Sequence, residues 1–264
     1  MSKDKAIKKF WSDMAREFKG SHLATAPDTY YRNLEIERIE DYLKDGKTIL
    51  DVGCGNGYST LKFAQKFKKA KFVGVDYSEE MIKWASRNLE KAPSSVVRRV
   101  AFEVGDVRKL SKLPALAGGR FDFIVSERCL INLLAWREQK EALMQMKKLL
   151  KPRGQIILTE NTQEGLARLN HLRKIFNLFP IKTRWHNYYM PQEKLLKFAK
   201  KVFKVREVNN IGSLYYILSR VVYAKLAAME KKEPDYLHPI NLIASKLPSV
   251  GDYSPNYIFL LENK

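Results

Sequence analysis

Scarcity marks this chain before any motif does. It has two cysteines, Cys54 and Cys129, and four histidines, His22, His171, His186 and His238, with no CxxC pair and no His cluster among them. A disulfide scaffold and a structural zinc site are excluded on that basis, no metal is expected, and a reducing, cytoplasmic setting is the default. No window reaches the ~18 uninterrupted apolar residues of a membrane span. The charged start Met1-Ser2-Lys3-Asp4-Lys5 is followed by no apolar stretch, so a signal peptide is not expected. Internal repeats and low-complexity tracts are also missing. Acidic residues are few beside basic ones: 29 Asp and Glu against 48 Lys and Arg leave a net charge of +19. Such a charge suits an anionic partner, whether nucleic acid, acidic lipid or a phosphorylated small molecule. The lysines are spread along the chain, so a solvated basic surface accounts for the charge equally well. What the chain does have is 45% apolar residues, enough for a real core.

The organising stretch is Ile49-Leu50-Asp51-Val52-Gly53-Cys54-Gly55-Asn56-Gly57. The apolar run from Thr48 to Val52 reads as a short buried strand, three glycines at alternate positions break it, and Tyr58 to Ala64 opens a helical pattern. Strand, glycine turn and helix bring bare backbone close to a nucleotide-like ligand. Glycine adopts φ > 0 and has no Cβ, and the helix start offers unpaired N–H groups. The dinucleotide fingerprint G-x-G-x-x-G places a pyrophosphate on the helix start. The spacing here is Asp51-x-Gly53-x-Gly55-x-Gly57, and an acid two residues before the first glycine repels a pyrophosphate but suits a cationic ligand. Taken alone, the triplet also fits a glycine-rich turn in any α/β protein.

This passage resembles the first motif of the class I S-adenosylmethionine-dependent methyltransferases, whose cofactor carries an ammonium and a sulfonium and no phosphate. Further landmarks follow in the family's order. Lys71 to Asp76 reads as a second strand ending in an acid, placed where a carboxylate accepts hydrogen bonds from ribose hydroxyls. Ser78 is the expected N-cap of the next helix, with Glu79 and Glu80 at its positive end. Val100 to Val107 is the third strand and its exit. Asp106 there resembles the family acid that hydrogen-bonds the adenine amino group, with Val107 alongside the ring. Phe121 to Glu127 is the fourth strand, and its exit through Arg128, Cys129, Leu130, Ile131 and Asn132 faces the transferred methyl group in this family. Asp122 at its start reads as structural. A helix from Trp136 to Leu150, a stop at Lys151-Pro152-Arg153-Gly154 and a fifth strand from Gln155 to Asn161 complete the resemblance, which covers residues 47–161. It implies S-adenosylmethionine as cofactor, held by Asp51, Gly53, Cys54, Gly55, Gly57, Asp76, Tyr77, Met81, Asp106, Val107 and Glu127.

The expected fold is α/β: a Rossmann-like, seven-stranded, mostly parallel sheet with helices on both faces and helical caps at the N-terminus and between the last two strands. Residues 1–46 form the first cap, with helices around Ala6 to Phe18 and Leu34 to Leu43. Residues 47–211 form the cofactor-binding core, 212–256 an inserted helical cap, and 257–264 the final core strand. Within the later chain, Glu164 to Phe179 and Gln192 to Val202 read as helices, Trp185 to Pro191 as an aromatic loop, and Phe203 to Ile211 as the sixth strand.

The acceptor is less legible. Tyr30, Tyr31, Arg128 and Tyr188 are the expected substrate contacts, and Arg128 suits a bidentate clamp on carboxylate or phosphate. A general base is needed only if the nucleophile carries a proton it cannot shed at pH 7. For that role His186 is the first choice and His22 the second. The Asn-Pro-Pro-Tyr type of signature that marks methylation of exocyclic amines is replaced by Ser126-Glu127-Arg128-Cys129, which argues against a flipped-out base as substrate. The expected reaction is methyl transfer to an oxygen, nitrogen or carboxylate of a small anionic acceptor such as a sugar or other metabolite. Two readings compete. The charge speaks for an RNA methyltransferase, although no appended RNA-binding motif is present. A cofactor-binding regulator without catalysis would keep the same glycine turn.

Overall fold

The computed structural model describes residues 2–116 and 118–264. Its centre is a sheet of β1 (Thr48–Val52), β2 (Lys71–Asp76), β3 (Val100–Val104), β4 (Phe121–Glu127), β5 (Leu150–Asn161), β6 (Phe203–Asn210) and β7 (Asn256–Asn263), in the order β3-β2-β1-β4-β5-β7-β6. The first five strands run parallel, and β7 is antiparallel to both β5 and β6. This is the Rossmann-like arrangement that the chain's early motifs imply. Its strand order reverses between β1 and β4, which opens a crevice at the carboxyl ends of those strands.

The inner strands β1, β4, β5 and β7 are largely buried on both faces, while the edge strands β3 and β6 are partly exposed; side chains alternate between the faces with the period of two that an extended backbone imposes. Leu50, Ile124, Ile156 and Phe259 pack into one core with Leu143, Met146 and Leu195. Ile49, Phe123, Ile157 and Ile258 pack into the other with Ile36, Ile39 and Phe63. The helices that supply these partners are α2 (Thr29–Glu40) and α3 (Tyr58–Lys66) on one face, and α6 (Trp136–Lys148) and α8 (Gln192–Val202) on the other. α4 (Glu79–Glu90) begins at Ser78, whose hydroxyl accepts from Met81 N, and the single turn α5 (Ser94–Val97) leads from it to β3. Asp122 is structural, as its position suggests: it accepts from Thr48 N at 2.9 Å and from Lys151 Nζ at 2.7 Å.

Several boundaries differ from the expectation for local reasons. β5 begins at Leu150, so Lys151-Pro152-Arg153-Gly154 belongs to the strand; a register shift opposite Phe121 and Phe123 accommodates it. The helix expected to reach Phe179 is α7 (Gln163–Ile175), and it stops short because Asn177 takes a left-handed φ of 52°. The third strand and its exit fall as expected: β3 ends at Val104, and in the exit Asp106 caps a following turn by accepting from Arg108 N.

Helical elements flank the crevice. α1 (Lys3–Phe18) packs Ala15 and Trp11 toward Met81 and Trp84 of α4. Between β6 and β7 lie α9 (Ser213–Ile217), one wider π-type turn (Leu218–Val222), α10 (Tyr223–Met229) and α11 (Pro239–Ser245). Tyr215 and Ala244 of this segment pack with Tyr31 and Leu34 of α2.

Candidate active site

The glycine turn leaves β1 folded back on the end of β2. Gly53 N and Cys54 N both donate to Val75 O, at 2.7 and 3.1 Å, and Gly55 N donates to Asp76 Oδ2 at 3.0 Å. Gly53, Gly55 and Gly57 all take positive φ, between 55° and 77°. At Gly53 a Cβ would also stand 2.6 Å from Cβ and Sγ of Cys129, so only a bare backbone fits between the first and fourth strand exits.

A cavity of about 330 Å³ extends from this turn. At one end it is walled by Gly53, Gly55, Asp76, Tyr77, Met81, Asp106 and Val107, with Asp4, Ile7 and Trp11 of α1 across from them. Asp76 has one backbone donor on each carboxylate oxygen, Gly55 N and Ser78 N, which leaves lone pairs on both for a ligand. Burial lifts its carboxyl to about 6. Asp106 is clasped by Arg108 through Nε and Nη2. Against the opposing effect of burial, that clasp and Arg108 N keep its carboxyl below the usual range. Arg108 in turn reaches Asp4 at 2.8 Å and Glu138 at 3.0 Å, so its charge is spent within the protein. Among the described residues, this end of the cavity presents bare main chain, a half-buried acid and no uncommitted cation. That set fits a ligand with a ribose and a positive charge, and does not fit a pyrophosphate.

The other end has the opposite character. Arg128, Arg220, Lys182 and Arg184 line it, together with Tyr31, Tyr189, Tyr216 and Tyr236. Arg128 sits at the exit of β4 with φ 50°, pairs with Glu35 and donates its N–H to Thr159 O at 2.7 Å. Arg220 pairs with Asp28 and lies over the rings of Tyr215, Tyr216 and Tyr236. Asp28 also accepts from Tyr215 Oη at 2.6 Å. Lys182 and Arg184 are exposed at the rim, and among the described residues neither pairs with a carboxylate. Between the two ends, Glu127 is buried and bonded to Arg32 and to Ser59 Oγ. Glu160 is fully buried and accepts from Leu130 N at 2.7 Å and Ile131 N at 3.3 Å; burial drives its carboxyl to about 8.

Most of the residues singled out in the sequence meet in this cavity: Gly53, Gly55, Asp76, Tyr77, Met81, Asp106, Val107, Glu127, Tyr31, Arg128 and His186 line it. Others stand off. Asp51 is buried beneath the turn, where it accepts from Thr60 Oγ1, and burial lifts its carboxyl to about 7. Cys54 is buried behind the turn, and Gly57 caps α3. Tyr30 packs with the Tyr31–Tyr215 cluster rather than lining the cavity. Tyr188 is taken up by backbone bonds to Ile131 and Gln139, and its neighbour Tyr189 faces the cavity in its place. His22 lies away from the cavity, with Nε2 2.7 Å from Thr29 Oγ1 and its ring against Tyr58. His186 is 3% exposed and stacked on Phe10, with centroids 4.4 Å apart, and edged by Trp11 and Trp185. Burial, helped by Arg184, lowers its imidazole to about 4, and its buried Nδ1 has no partner among the described residues.

Sequence reasoning passed over Glu35, Asp28, Arg220, Tyr216 and Tyr236. Arg220 did leave a signal: it is a lone arginine within the apolar helical run from Leu214 to Val222.

Comparison with known proteins agrees with this geometry. A family model described as a methyltransferase domain matches residues 43–238. The chain therefore belongs to that family, the class I S-adenosylmethionine-dependent methyltransferases, and S-adenosylmethionine is the cofactor this family uses. Among relatives, malonyl-[acyl-carrier protein] O-methyltransferase of Priestia megaterium is 24% identical over 212 residues, covering 79% of this chain and 67% of that protein. An uncharacterised protein of Rickettsia prowazekii is 28% identical over 151 residues, and the match spans only 56% of each chain. In structure, magnesium protoporphyrin IX methyltransferase from Synechocystis PCC 6803, solved with bound SAH, has a TM-score of 0.63 at 15% identity and covers 98% of this chain and 99% of that one. N-methyltransferase NodS from Bradyrhizobium japonicum WM9 has a TM-score of 0.58 at 13% identity, with 96% and 98% covered. At those identities the likeness shows the fold.

Proposed function

We propose that this chain transfers a methyl group from S-adenosylmethionine to a small acceptor carrying a carboxylate or phosphate. The observation that carries this reading is the polarity of the cavity. Its glycine-turn end has acids and bare backbone, and its far end has Arg128 and Arg220 inside with Lys182 and Arg184 at the rim. Lys182 and Arg184, unpaired among the described residues, draw an anionic acceptor to that end, and Arg128 joins them when Glu35 is protonated. In this reading Asp76 accepts the ribose hydroxyls, Asp106 and Val107 meet the base, and Gly53 and Gly55 lie against the remainder. Of the two helical caps, α1 of residues 1–46 covers the cofactor, while α2 of the same cap joins the 212–256 segment around the acceptor.

When bound, the cofactor supplies a methyl group already activated by a sulfonium. The protein's task is alignment, and holding the reactants in line accounts for ~7–11 kcal/mol in favourable cases. Arg128, close to the end of β4, anchors the acceptor's anionic group, and Tyr31, Tyr189 and Tyr216 fix its plane and exclude water. A carboxylate nucleophile needs no base. That agrees with His186, since an imidazole lowered to about 4 is a poor proton acceptor at neutral pH. Its place among Phe10, Trp11 and Trp185 suits orientation of the ligand. The Priestia relative is named as an O-methyltransferase of a malonyl group borne on acyl-carrier protein, and a malonyl group ends in a carboxylate.

A labelled-methyl assay tests this reading. The purified protein is incubated with labelled S-adenosylmethionine and, in parallel, an anion-exchange-retained metabolite extract and total cell RNA. Label in the anionic small molecules is expected. Label in RNA alone overturns the acceptor assignment, and no transfer to any fraction, with the cofactor still bound in calorimetry, favours a regulator.

A further inference from the structure

Large apolar side chains that face water are unevenly distributed on this protein. Among the described residues, and apart from Val97 and Val104, they fall on two stretches, 175–185 and 226–253. The first forms one lip of the cavity at its acceptor end, since Ile181, Lys182 and Arg184 line the cavity there. On this lip Phe179 is 91% exposed, Ile175 64% and Trp185 60%, with Phe176 beside them.

The loop is held in this outward-facing form by its own hydrogen bonds. Arg173 Nε donates to Phe179 O at 2.9 Å, and Leu178 N donates to Arg173 O at 3.0 Å. The Asn170 side chain exchanges two bonds with the Ile181 backbone, at 3.0 and 2.8 Å. These backbone groups are paired while the apolar tips remain in water, an arrangement that costs free energy unless something covers them.

Charge indicates what covers them. From His171 to Asn187 the chain has Arg173, Lys174, Lys182 and Arg184 and no Asp or Glu. The stretch 226–253 offsets its lysines with Glu230, Glu233, Asp235 and Asp252. Exposed aromatic and aliphatic tips interleaved with cations form the pattern that settles into the headgroup layer of an anionic bilayer. Tryptophan is enriched at that depth. A bilayer asks for no shape complementarity, and a protruding tip such as Phe179 offers none.

The geometry points to the lip 173–185 as a docking surface for an anionic membrane, with Phe176 and Phe179 entering the interface and Lys174, Lys182 and Arg184 at the headgroups. Docking so arranged would set the acceptor end of the cavity against the bilayer, where an amphipathic anionic acceptor is met. The docking itself does not depend on the acceptor assignment.

The test is co-sedimentation of the full chain with vesicles of phosphatidylcholine alone and of phosphatidylcholine containing phosphatidylglycerol. Binding is expected to the anionic vesicles only, and Phe179→Asp and Phe176→Ser should each weaken it by about tenfold, the scale of one lost aromatic burial. Calorimetry with S-adenosylmethionine should give both variants the affinity of the parent, which keeps this test apart from the methyltransferase reading. Absence of binding to anionic vesicles overturns the proposal. So does equal binding by Phe179→Asp, which would mean simple adsorption of a basic protein. Capture of an acidic protein through Phe179 without vesicle binding would assign the lip to that partner instead.

Discussion

Arg128 Nη2 stands 2.9 Å from Glu35 Oε2, joining the exit of β4 to the middle of α2. Glu35 is fully buried, and its other oxygen accepts from Asn256 Nδ2 at 2.6 Å. Burial raises its carboxyl to about 7 against the pull of Arg128. Around neutrality Glu35 is poised to take a proton, and the guanidinium is then free to hold another anion. Arg128 also keeps a left-handed backbone, a strain of about 1–3 kcal/mol that persists only where the surroundings fix the residue. Arg128→Gln should raise the KM for an anionic acceptor by roughly 10- to 100-fold, the scale of one charged hydrogen bond at about 1.5–3 kcal/mol. Cofactor affinity should stay near that of the parent, because Arg128 stands at the acceptor end. Steady-state kinetics and calorimetry on the same preparation check both, and an unchanged KM removes Arg128 from acceptor binding.

Gly53 is fixed by its neighbour across the sheet as well as by its own φ. With φ +77° and Cys129 2.6 Å from any added Cβ, Gly53→Ala must move either the turn or the fourth-strand exit. The expected cost is about 1–3 kcal/mol of stability from backbone strain, together with a marked loss of cofactor affinity. Gly46→Ala is the control: φ is similar at +72°, but no atom lies within 4 Å of the added Cβ. Thermal unfolding should fall in both, and cofactor titration should suffer only in Gly53→Ala.

Asp76→Asn keeps the size of the side chain and removes its charge. If the carboxylate accepts the ribose hydroxyls, S-adenosylmethionine should bind about 10- to 100-fold more weakly, the scale of charged hydrogen bonds at about 1.5–3 kcal/mol. A linked pH effect is expected in the parent. Its carboxyl titrates near 6, so cofactor affinity should fall as pH drops through that value, because protonation removes accepting lone pairs. Calorimetry across pH should show this fall in the parent and its absence in Asp76→Asn.

The cofactor half was legible because its signals are local. A glycine triplet, an acid at the end of β2 and another after β3 announce themselves within a few residues. The acceptor half is written across the whole chain: Glu35, the partner of Arg128, meets Asn256 221 positions away, and Asp28 meets Arg220 192 positions away. No periodicity encodes such pairings, and Arg220 stands in the sequence only as a lone arginine in an apolar helical run. The histidines show the same limit. His186 stands in an aromatic stretch and His22 in a polar one, yet only packing shows the latter bonded to Thr29 and the former enclosed by Phe10, Trp11 and Trp185. Where an element ended late or early, one backbone was responsible: Asn177, in a left-handed conformation, cut α7 four residues short of Phe179.

The buried acids also predict how stability responds to pH. Glu160 lies at the end of β5 under the Leu130–Ile131 turn, with burial holding its carboxyl at about 8 against an ordinary 4.5. Between those values the folded chain keeps a proton that the unfolded chain has lost. Stability from this group is therefore fully present below 4.5 and is lost as pH rises through about 8. One such group contributes a slope of about 1.4 kcal/mol per pH unit. Glu35 and Asp51, both raised to about 7, act in the same direction. His186 acts in the opposite one. Its imidazole is lowered from 6.5 to about 4, so its contribution is present above 6.5 and lost as pH falls toward 4. Glu160→Gln replaces the acid with a neutral side chain of the same size. It gives up one of the two backbone bonds, at a pH-independent cost of about 1–3 kcal/mol, and removes one group's share of the alkaline slope. Its Tm should therefore lie furthest below the parent's in mild acid and approach it as pH rises toward 8. Thermal melts of the two proteins across that range decide the point: parallel Tm curves would mean that Glu160 is ionised in the fold and that the turn above it tolerates a buried charge.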